Sequence, residues 1–305
     1  MRSTVADIEL DAVSDNVRSL ALASRASVIA VVKADGYGHG AEAVGRAALD
    51  AGAVMLAVFT VEEGIVLRRA EPEASILVLG GATDDADLTA ALTARLSLVE
   101  WDERRAGRIA SAARAQRTTA TLHFKVDTGL TRLGARLEDA ARAGLQAAAH
   151  LADRVPLRPA LTWRSVVRRV ADVPVGAGVS YGHVFRASRE SRIATVPVGY
   201  GDGLLRSGSG RLWVLVGGQP APVAGRIAMD LVMLDVTGRE TKEGDEVVII
   251  GEQRGARQTA EDVAEACGTV SYEIVGAIRP RVPKRYLRDG RLVATKTLAE
   301  GFRWC

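Results

Sequence analysis

A short apolar run followed by an alanine-rich amphipathic stretch recurs five times in the first half of the chain, and this repetition constrains the fold most. The apolar runs are Val28–Lys33, Val54–Thr60, Ser75–Leu79, Leu96–Glu100 and Thr121–Asp127. Short, continuously apolar runs are typical of strands buried on both faces, and the stretches between them have helical periodicity. Strands that alternate with helices predict a parallel sheet with helices packed outside it.

The second half of the chain has a different character, which begins near Pro156. Its apolar segments are separated by glycine and proline turns, as in a compact all-β domain. These segments are Leu161–Ala171, Arg192–Val198, Arg211–Val216, Leu231–Val236 and Glu246–Ile250. We therefore predict a β/α domain over residues 1–155 and a β-strand domain with a C-terminal extension over residues 156–305.

Composition narrows the possible partners and location of the chain. A net charge of +3 over 305 residues, with the basic residues spread along the chain, predicts neither a nucleic acid nor a membrane partner. Two cysteines and four histidines without metal-ligand spacing predict no disulfide framework and no metal site. The charged first residues, Met1–Asp11, lack a signal-peptide core, so we expect a cytoplasmic location.

Lys33 is the residue whose sequence surroundings most clearly indicate a catalytic role. The apolar run before it places its amine at the carboxyl end of a buried strand, where α/β sheets hold ligands. Desolvation there lowers a lysine pKa and favours the neutral amine, which can form a Schiff base. Tyr37 and the glycines around it supply a hydroxyl and close backbone approach for a phosphate-like group. A strand-end lysine that merely reaches water is the alternative for an isolated residue.

Seven motifs occur in a fixed order along the chain. They are Val-Val-Lys-Ala-Asp-Gly-Tyr-Gly-His-Gly (31–40), Lys-Val-Asp-Thr-Gly-Leu-Thr-Arg-Leu-Gly (125–134), Val-Ser-Tyr-Gly-His (179–183), Val-Gly-Tyr-Gly-Asp-Gly (198–203), Gly-Arg-Ile-Ala-Met-Asp (225–230), Ser-Tyr-Glu-Ile (271–274) and Arg-Val-Pro-Lys-Arg-Tyr (281–286). With these motifs the chain resembles the alanine racemases, a family of fold-type III enzymes that use pyridoxal 5'-phosphate. The resemblance implies an isomerase that interconverts L- and D-alanine as a homodimer with shared active sites.

The resemblance also implies an eight-stranded β/α barrel in the first domain, and the chain is too short for one. A closed barrel needs about 250 residues, whereas the first domain has roughly 155. Three family blocks are missing: a His-Phe-Ala-like strand, an Asn-Ser pair for the cofactor phosphate, and an Arg-x-Gly-Ile strand. We therefore expect an α/β plus all-β fold, with an incomplete TIM-like barrel before the β domain and possible closure by strands exchanged from a partner.

The resemblance assigns two bases to racemisation, because the α-proton must leave one face of the substrate and return on the other. Lys33 is one base and carries the cofactor. Tyr181 of the partner subunit is the other base. Without the flanking motif, a strand-end tyrosine whose hydroxyl is simply hydrogen-bonded would be the favoured interpretation of Tyr181.

The remaining predicted site residues bind the cofactor, bind the substrate or line the substrate entrance. By the resemblance, Tyr37, Arg132 and Tyr272 bind the cofactor together with Lys33. Arg132 and the backbone amide of Met229 bind the substrate carboxylate, a suitable task for a guanidinium fork. Lys125 orients Arg132, and Tyr200 and Arg226 line the substrate entrance together with Tyr272.

A second hypothesis follows from the missing blocks. A degenerate homologue that binds the cofactor weakly or not at all would act as a non-catalytic binding or regulatory dimer. The hypotheses differ in whether Lys33 forms a reducible bond with pyridoxal phosphate.

Overall fold

The computed structural model describes residues 3–101, 103–127, 132–134 and 158–305 of the chain. The chain divides into two compact units. One unit comprises residues 12–36 and 41–158, and the other comprises residues 1–11, 37–40 and 159–305. The predicted boundary between residues 155 and 156 lies outside the described residues.

The first strand, β1 (Val5–Glu9), belongs to the unit formed mostly by the second half of the chain. It pairs with strands from that half on both sides, parallel to one and antiparallel to the other. Its side chains are buried up to the last residue, with Ala6 and Ile8 fully inaccessible. Helix α1 (Leu10–Ser24) follows directly.

The β/α unit contains a parallel sheet whose strands follow one another in chain order. The strands are β2 (Ile29–Val31), β3 (Met55–Val58), β4 (Ile76–Val78), β5 (Ser97–Glu100) and β6 (Leu122–Phe124). Between them run α2 (Ala41–Asp50), α3 (Val61–Ala70), α4 (Asp85–Thr93) and α5 (Glu103–Ala115). The five predicted strands and the parallel strand–helix pattern are thus confirmed.

The middle strands of this sheet are buried and the outer strands are not. Ala57, Leu77 and Val99, on β3 to β5, form one packed apolar cluster. On the outer strands, Val31 is 41% exposed and Phe124 is 59% exposed. Among the described residues the sheet has five strands and two open edges, so the first domain is an incomplete TIM-like barrel, as predicted.

The β domain is built from one large sheet and two small ones. Its strands are β7 (Leu161–Val166), β8 (Arg169–Val173), β9 (Gly178–Val179), β10 (Phe185–Arg186), β11 (Ser191–Val196), β12 (Trp213–Val216), β13 (Gln219–Pro222), β14 (Val232–Asp235), β15 (Glu246–Gln253), β16 (Ala256–Gln258), β17 (Lys284–Arg288), β18 (Arg291–Thr297) and β19 (Gly301–Trp304). Two helices interrupt them, α6 (Ala260–Cys267) and α7 (Ser271–Gly276). The described part of the chain contains no helix that is both long and apolar enough to span a bilayer.

The large sheet runs in the order β13-β12-β15-β7-β1-β17-β18-β19, with β16 also paired to β15. A second sheet has the order β14-β11-β8, and β9 and β10 form a two-stranded ribbon. The C-terminal extension contributes β18 and β19, which extend the large sheet through antiparallel pairing. Ring contacts between Tyr286, Phe302 and Trp304 pack this extension onto β17.

Candidate active site

Lys33 lies two residues beyond the last residue of β2, at the carboxyl edge of the parallel sheet. The strand ends at Val31, and the Val32 amide continues the pairing by donating to the Ala57 carbonyl at 2.8 Å. Lys33 itself is half-buried, and its Nζ lies 5.6 Å from the centre of the Phe59 ring, which follows the neighbouring strand β3. The lysine therefore lies where the sequence predicted it, at the ligand-binding edge of the sheet.

A left-handed turn, Lys33–Tyr37, follows the strand. Ala34, Asp35 and Gly36 have φ values of 51°, 54° and 63°. This conformation costs about 1–2 kcal/mol for each non-glycine residue, so its presence requires compensating contacts. The Gly36 amide donates to the Val32 carbonyl at 2.8 Å, and the Asp35 carboxylate accepts from the Ala41 amide at 3.1 Å.

Tyr37 ends this turn and contacts Tyr272, the second tyrosine predicted to bind the cofactor. Their ring centres are 5.7 Å apart with the planes inclined by 49°. Burial raises the pKa of the Tyr37 phenol above its usual value of 10, and the neighbouring Tyr272 raises that pKa further. The Tyr37 hydroxyl therefore keeps its proton at neutral pH and can donate a hydrogen bond to an anion.

Gly38 explains why the loop after Tyr37 can approach α7 so closely. A Cβ at this position would lie 2.0 Å from the Val275 carbonyl oxygen, and the residue has a φ of 80°. Glycine is therefore required both for its conformation and for the space it leaves. The close approach brings Tyr37 beside Tyr272, which is the second residue of α7.

Tyr181 lies in a short 3-10 turn, Tyr181–His183, beside the turn that contains Arg226. The preceding residue Ser180 has a φ of 63°, and its hydroxyl donates to the Arg226 carbonyl at 2.6 Å. Tyr181 is 70% exposed and lines an open depression together with Ala228 and Leu231. The structure thus brings together two residues that the sequence assigned to catalysis and to the substrate entrance.

Met229 and Tyr200 lie on two loops that are bonded backbone to backbone. The Tyr200 amide donates to the Ala228 carbonyl at 3.0 Å, and the Gly201 amide donates to the Met229 carbonyl at 2.8 Å. Both predicted residues are exposed at this surface, Met229 by 52% and Tyr200 by 38%. The two motifs that contain them therefore form one structural element.

Arg281, which the sequence interpretation did not single out, joins this element to a third motif. Its guanidinium donates to Asp202 from Nε at 2.8 Å and from Nη2 at 3.1 Å, and Nη2 also donates to Asp230 at 2.6 Å. Asp202 is fully buried, and it raises the pKa of the guanidinium most, followed by Asp230. No local pattern shows such a pairing, because the three residues come from separate parts of the sequence.

Lys125 and Arg132 lie in the β/α unit, near the carboxyl end of β6. Lys125 is half-buried, and its amide donates to the Glu100 carbonyl at 2.7 Å. Arg132 is exposed, and the residues on either side of its short segment lie outside the described residues. Lys33, Lys125 and Arg132 thus belong to one unit. The other predicted site residues, Tyr37, Tyr181, Tyr200, Arg226, Met229 and Tyr272, belong to the second unit.

Family models match both halves of the chain. The model described as "Alanine racemase, N-terminal domain" matches residues 8–164, and the one described as "Alanine racemase, C-terminal domain" matches residues 160–286. Together these ranges leave out little besides the C-terminal strands β18 and β19.

Curated relatives and solved structures agree with the family models. An alanine racemase from Symbiobacterium thermophilum is 35% identical, over 94% of this chain and 97% of the relative. Alanine racemase 2 from Bacillus subtilis is 32% identical, over 95% of this chain and 96% of the relative. The alanine racemase from Bacillus anthracis with bound L-Ala-P is 28% identical, with a TM-score of 0.87 and 98% of each chain covered.

The alignments are longer than the chain itself. The alignment with the Symbiobacterium relative runs over 368 positions, whereas this chain has 305 residues, so the relative has residues without a counterpart here. The matches nevertheless extend across both domains and nearly the whole length of each relative. This chain belongs to the alanine racemase family.

Proposed function

We propose that Lys33 and Tyr181 are the two bases with which this chain, a racemase-type isomerase that uses pyridoxal phosphate, interconverts L- and D-alanine. The observation that supports Lys33 most is its half-buried position at the carboxyl edge of the parallel sheet, next to the Phe59 ring. The degenerate, non-catalytic homologue is not favoured, because both domains match catalytic relatives.

The polar groups of the motifs at 31–40 and 271–274 suit pyridoxal phosphate. An aldehyde requires a primary amine, which Lys33 supplies, and a phosphate accepts hydrogen bonds, which the Tyr37 and Tyr272 hydroxyls can donate. A tyrosine hydroxyl is protonated at neutral pH, and the raised pKa of Tyr37 extends this donor form to higher pH. When bound, the cofactor makes the α-proton of an attached amino acid acidic by delocalising the electron pair left behind.

The protein's task is then to move that proton at two positions. In one direction of the reaction, Lys33 Nζ would take the α-proton from one face of the substrate while the Tyr181 hydroxyl gives a proton to the other face. In the reverse direction, the deprotonated Tyr181 oxygen would take the proton and the protonated Lys33 would give one. The substrate carboxylate is held by Arg132 and by the backbone amide of Met229. The bonds from the Tyr200 amide to the Ala228 carbonyl and from the Gly201 amide to the Met229 carbonyl fix the loop that presents that amide. Lys125 orients Arg132, and Tyr200 and Arg226 line the entrance.

A homodimer with shared active sites is part of this proposal. Tyr181 is 70% exposed in the single chain, and Val184 and Leu231 beside it are 58% and 41% exposed. An exposed phenol cannot exclude water from proton transfer, and clustered exposed apolar residues favour an interface. We therefore propose that Tyr181 acts in the site of the partner subunit. The cytoplasmic location predicted from the sequence stays a prediction.

The direct test is a visible absorbance scan of the purified protein with added pyridoxal phosphate, followed by borohydride reduction and peptide mass mapping. We expect a yellow, reducible species with the pyridoxyl group on Lys33, and formation of D-alanine from L-alanine. Lys33→Ala removes the reducible species, whereas Tyr181→Phe retains it and loses racemisation. A colourless protein at saturating cofactor would overturn the proposal in favour of the degenerate homologue.

A further inference from the structure

The carboxylate of Glu63, on the first turn of α3, accepts hydrogen bonds from two pieces of backbone near Lys33. One directly follows Lys33, and the other directly follows the neighbouring strand β3. Its Oε1 accepts from the Ala34 amide at 2.6 Å, and its Oε2 accepts from the Phe59 amide at 2.8 Å. Ala34 directly follows Lys33, and Phe59 carries the ring that lies 5.6 Å from the Lys33 Nζ. One side chain thus holds both the backbone after the lysine and the backbone of the residue facing its amine.

Helix capping accounts for only part of this arrangement. Thr60 and Glu63 form a capping box, in which the Thr60 amide donates to Glu63 Oε2 at 3.2 Å and the Thr60 hydroxyl accepts from the Glu63 amide at 3.3 Å. These bonds satisfy the start of α3. The bond to Ala34 is not part of a capping box, because Ala34 lies on the loop after the neighbouring strand.

The bond to Ala34 acts at a strained position. Ala34 and Asp35 both have left-handed conformations, which a non-glycine residue adopts only when its surroundings compensate for the cost. Hydrogen bonds to a carboxylate are about twice as strong as those between neutral groups. Glu63 therefore provides a strong contact at the first left-handed residue, where the direction of the Lys33 backbone is set.

We propose that Glu63 is a positioning residue for Lys33, which fixes the left-handed turn and the Phe59 ring so that the amine keeps one direction. This inference rests on the proposed function, in which Lys33 carries the cofactor and moves the substrate proton. The residue acts through backbone contacts and is distinct from the two bases.

Matched variants distinguish the positioning of Lys33 from the capping of helix α3 and from the loss of a negative charge. Glu63→Ala removes the three contacts that its carboxylate makes with backbone amides, and Glu63→Gln keeps only one oxygen that can accept. Thr60→Ala weakens the capping box and leaves the Ala34 contact in place. Glu62→Ala removes the neighbouring carboxylate of the same helical turn, which is exposed.

The first readout needs no cofactor. Lys33 is labelled with trinitrobenzenesulfonate in the cofactor-free protein, and its rate is compared by peptide mapping with that of the exposed Lys242. We expect Glu63→Ala to change the ratio of the Lys33 rate to the Lys242 rate, because the amine is then no longer held in one direction. The Thr60→Ala and Glu62→Ala variants keep the wild-type ratio. An unchanged ratio in Glu63→Ala, or an equal change in Thr60→Ala, would overturn the proposal.

The second readout is the apparent affinity for pyridoxal phosphate, measured from the reducible species on Lys33. We expect Glu63→Ala to weaken it about tenfold, Glu63→Gln to weaken it less, and both controls to leave it unchanged. An unchanged affinity in Glu63→Ala would contradict the inference. A wild type that forms no reducible species would contradict the proposed function instead, and the labelling ratio would still decide the role of Glu63.

Discussion

Arg281 and Asp202 form a two-pronged ion pair in the β domain, with Nε and Nη2 of the arginine 2.8 and 3.1 Å from the two carboxylate oxygens. The Asp202 side chain is fully buried, whereas the Arg281 side chain is 30% exposed. Arg281 also binds Asp230, whose side chain is 60% exposed. Through its two carboxylate partners, Arg281 ties together three of the motifs that carry the family resemblance, although none of the three residues is a proposed base.

The two carboxylates bound by Arg281 should differ strongly in their effect on stability. We expect Asp202→Ala to lower the free energy of unfolding by about 3 kcal/mol, because it leaves a guanidinium without its buried partner. Asp230→Ala removes a mostly exposed carboxylate and should cost about 0–1 kcal/mol. Urea unfolding of both variants measures the difference, and equal losses would show that burial of Asp202 contributes nothing.

Tyr37 should titrate at higher pH than an ordinary tyrosine. Its pKa in the folded protein is raised by burial and by Tyr272, so between about pH 10 and that raised value the folded state holds a proton that the unfolded state has lost. The contribution of Tyr37 to stability is therefore complete below about pH 10 and decreases as the pH rises further.

Ultraviolet absorbance of the tyrosinate ion checks this shift. The titration of Tyr37→Phe, subtracted from that of the wild type, should isolate a single phenol with a midpoint above about 10. Tyr200→Phe serves as the control, because it removes another of the five tyrosines without touching the Tyr37–Tyr272 pair. A difference curve with its midpoint at the ordinary value would contradict the desolvation of Tyr37.

The proposal that two subunits share each active site makes a prediction about mixtures of inactive variants. Lys33→Ala and Tyr181→Phe should each reduce racemisation by at least about a hundredfold, since each removes a base. In a hybrid dimer, one of the two sites combines a native Lys33 with the native Tyr181 of the partner subunit. Mixing the variants under conditions that exchange subunits should therefore restore up to about a quarter of the wild-type activity. If each site used residues of a single chain, mixing would restore nothing.

The local pattern of apolar residues predicted the five strands of the β/α unit, because these strands pair in chain order. Runs such as Ser75–Leu79 are apolar throughout and bounded by turns, and the observed strand Ile76–Val78 lies within that run. The strand Val5–Glu9 was missed, because its partners lie more than a hundred residues away and nothing nearby marks them. Pairing over such distances depends on the complete fold.

The positions of the proposed site residues were predictable where they stand in motifs, and contacts of a side chain with distant backbone were not. The place of Lys33 and Tyr37 after a buried strand could be predicted because an apolar run precedes them and glycines surround them. Glu63 was missed, although the Thr60-x-x-Glu63 spacing shows its capping role, because its bond to Ala34 joins two separate loops. The left-handed conformation of Ala34 and Asp35 was also hidden, since alanine disfavours it and aspartate adopts it only occasionally.

The exchange of the α-hydrogen with deuterated water tests the two-base proposal most directly. Wild-type protein loaded with pyridoxal phosphate is incubated separately with L-alanine and with D-alanine, and exchange is followed by nuclear magnetic resonance. We predict that the wild type exchanges both enantiomers, and that Tyr181→Phe exchanges only one of them and does not racemise. Equal loss of both exchanges in Tyr181→Phe, or continued racemisation, would contradict the assignment of Lys33 and Tyr181 to opposite faces.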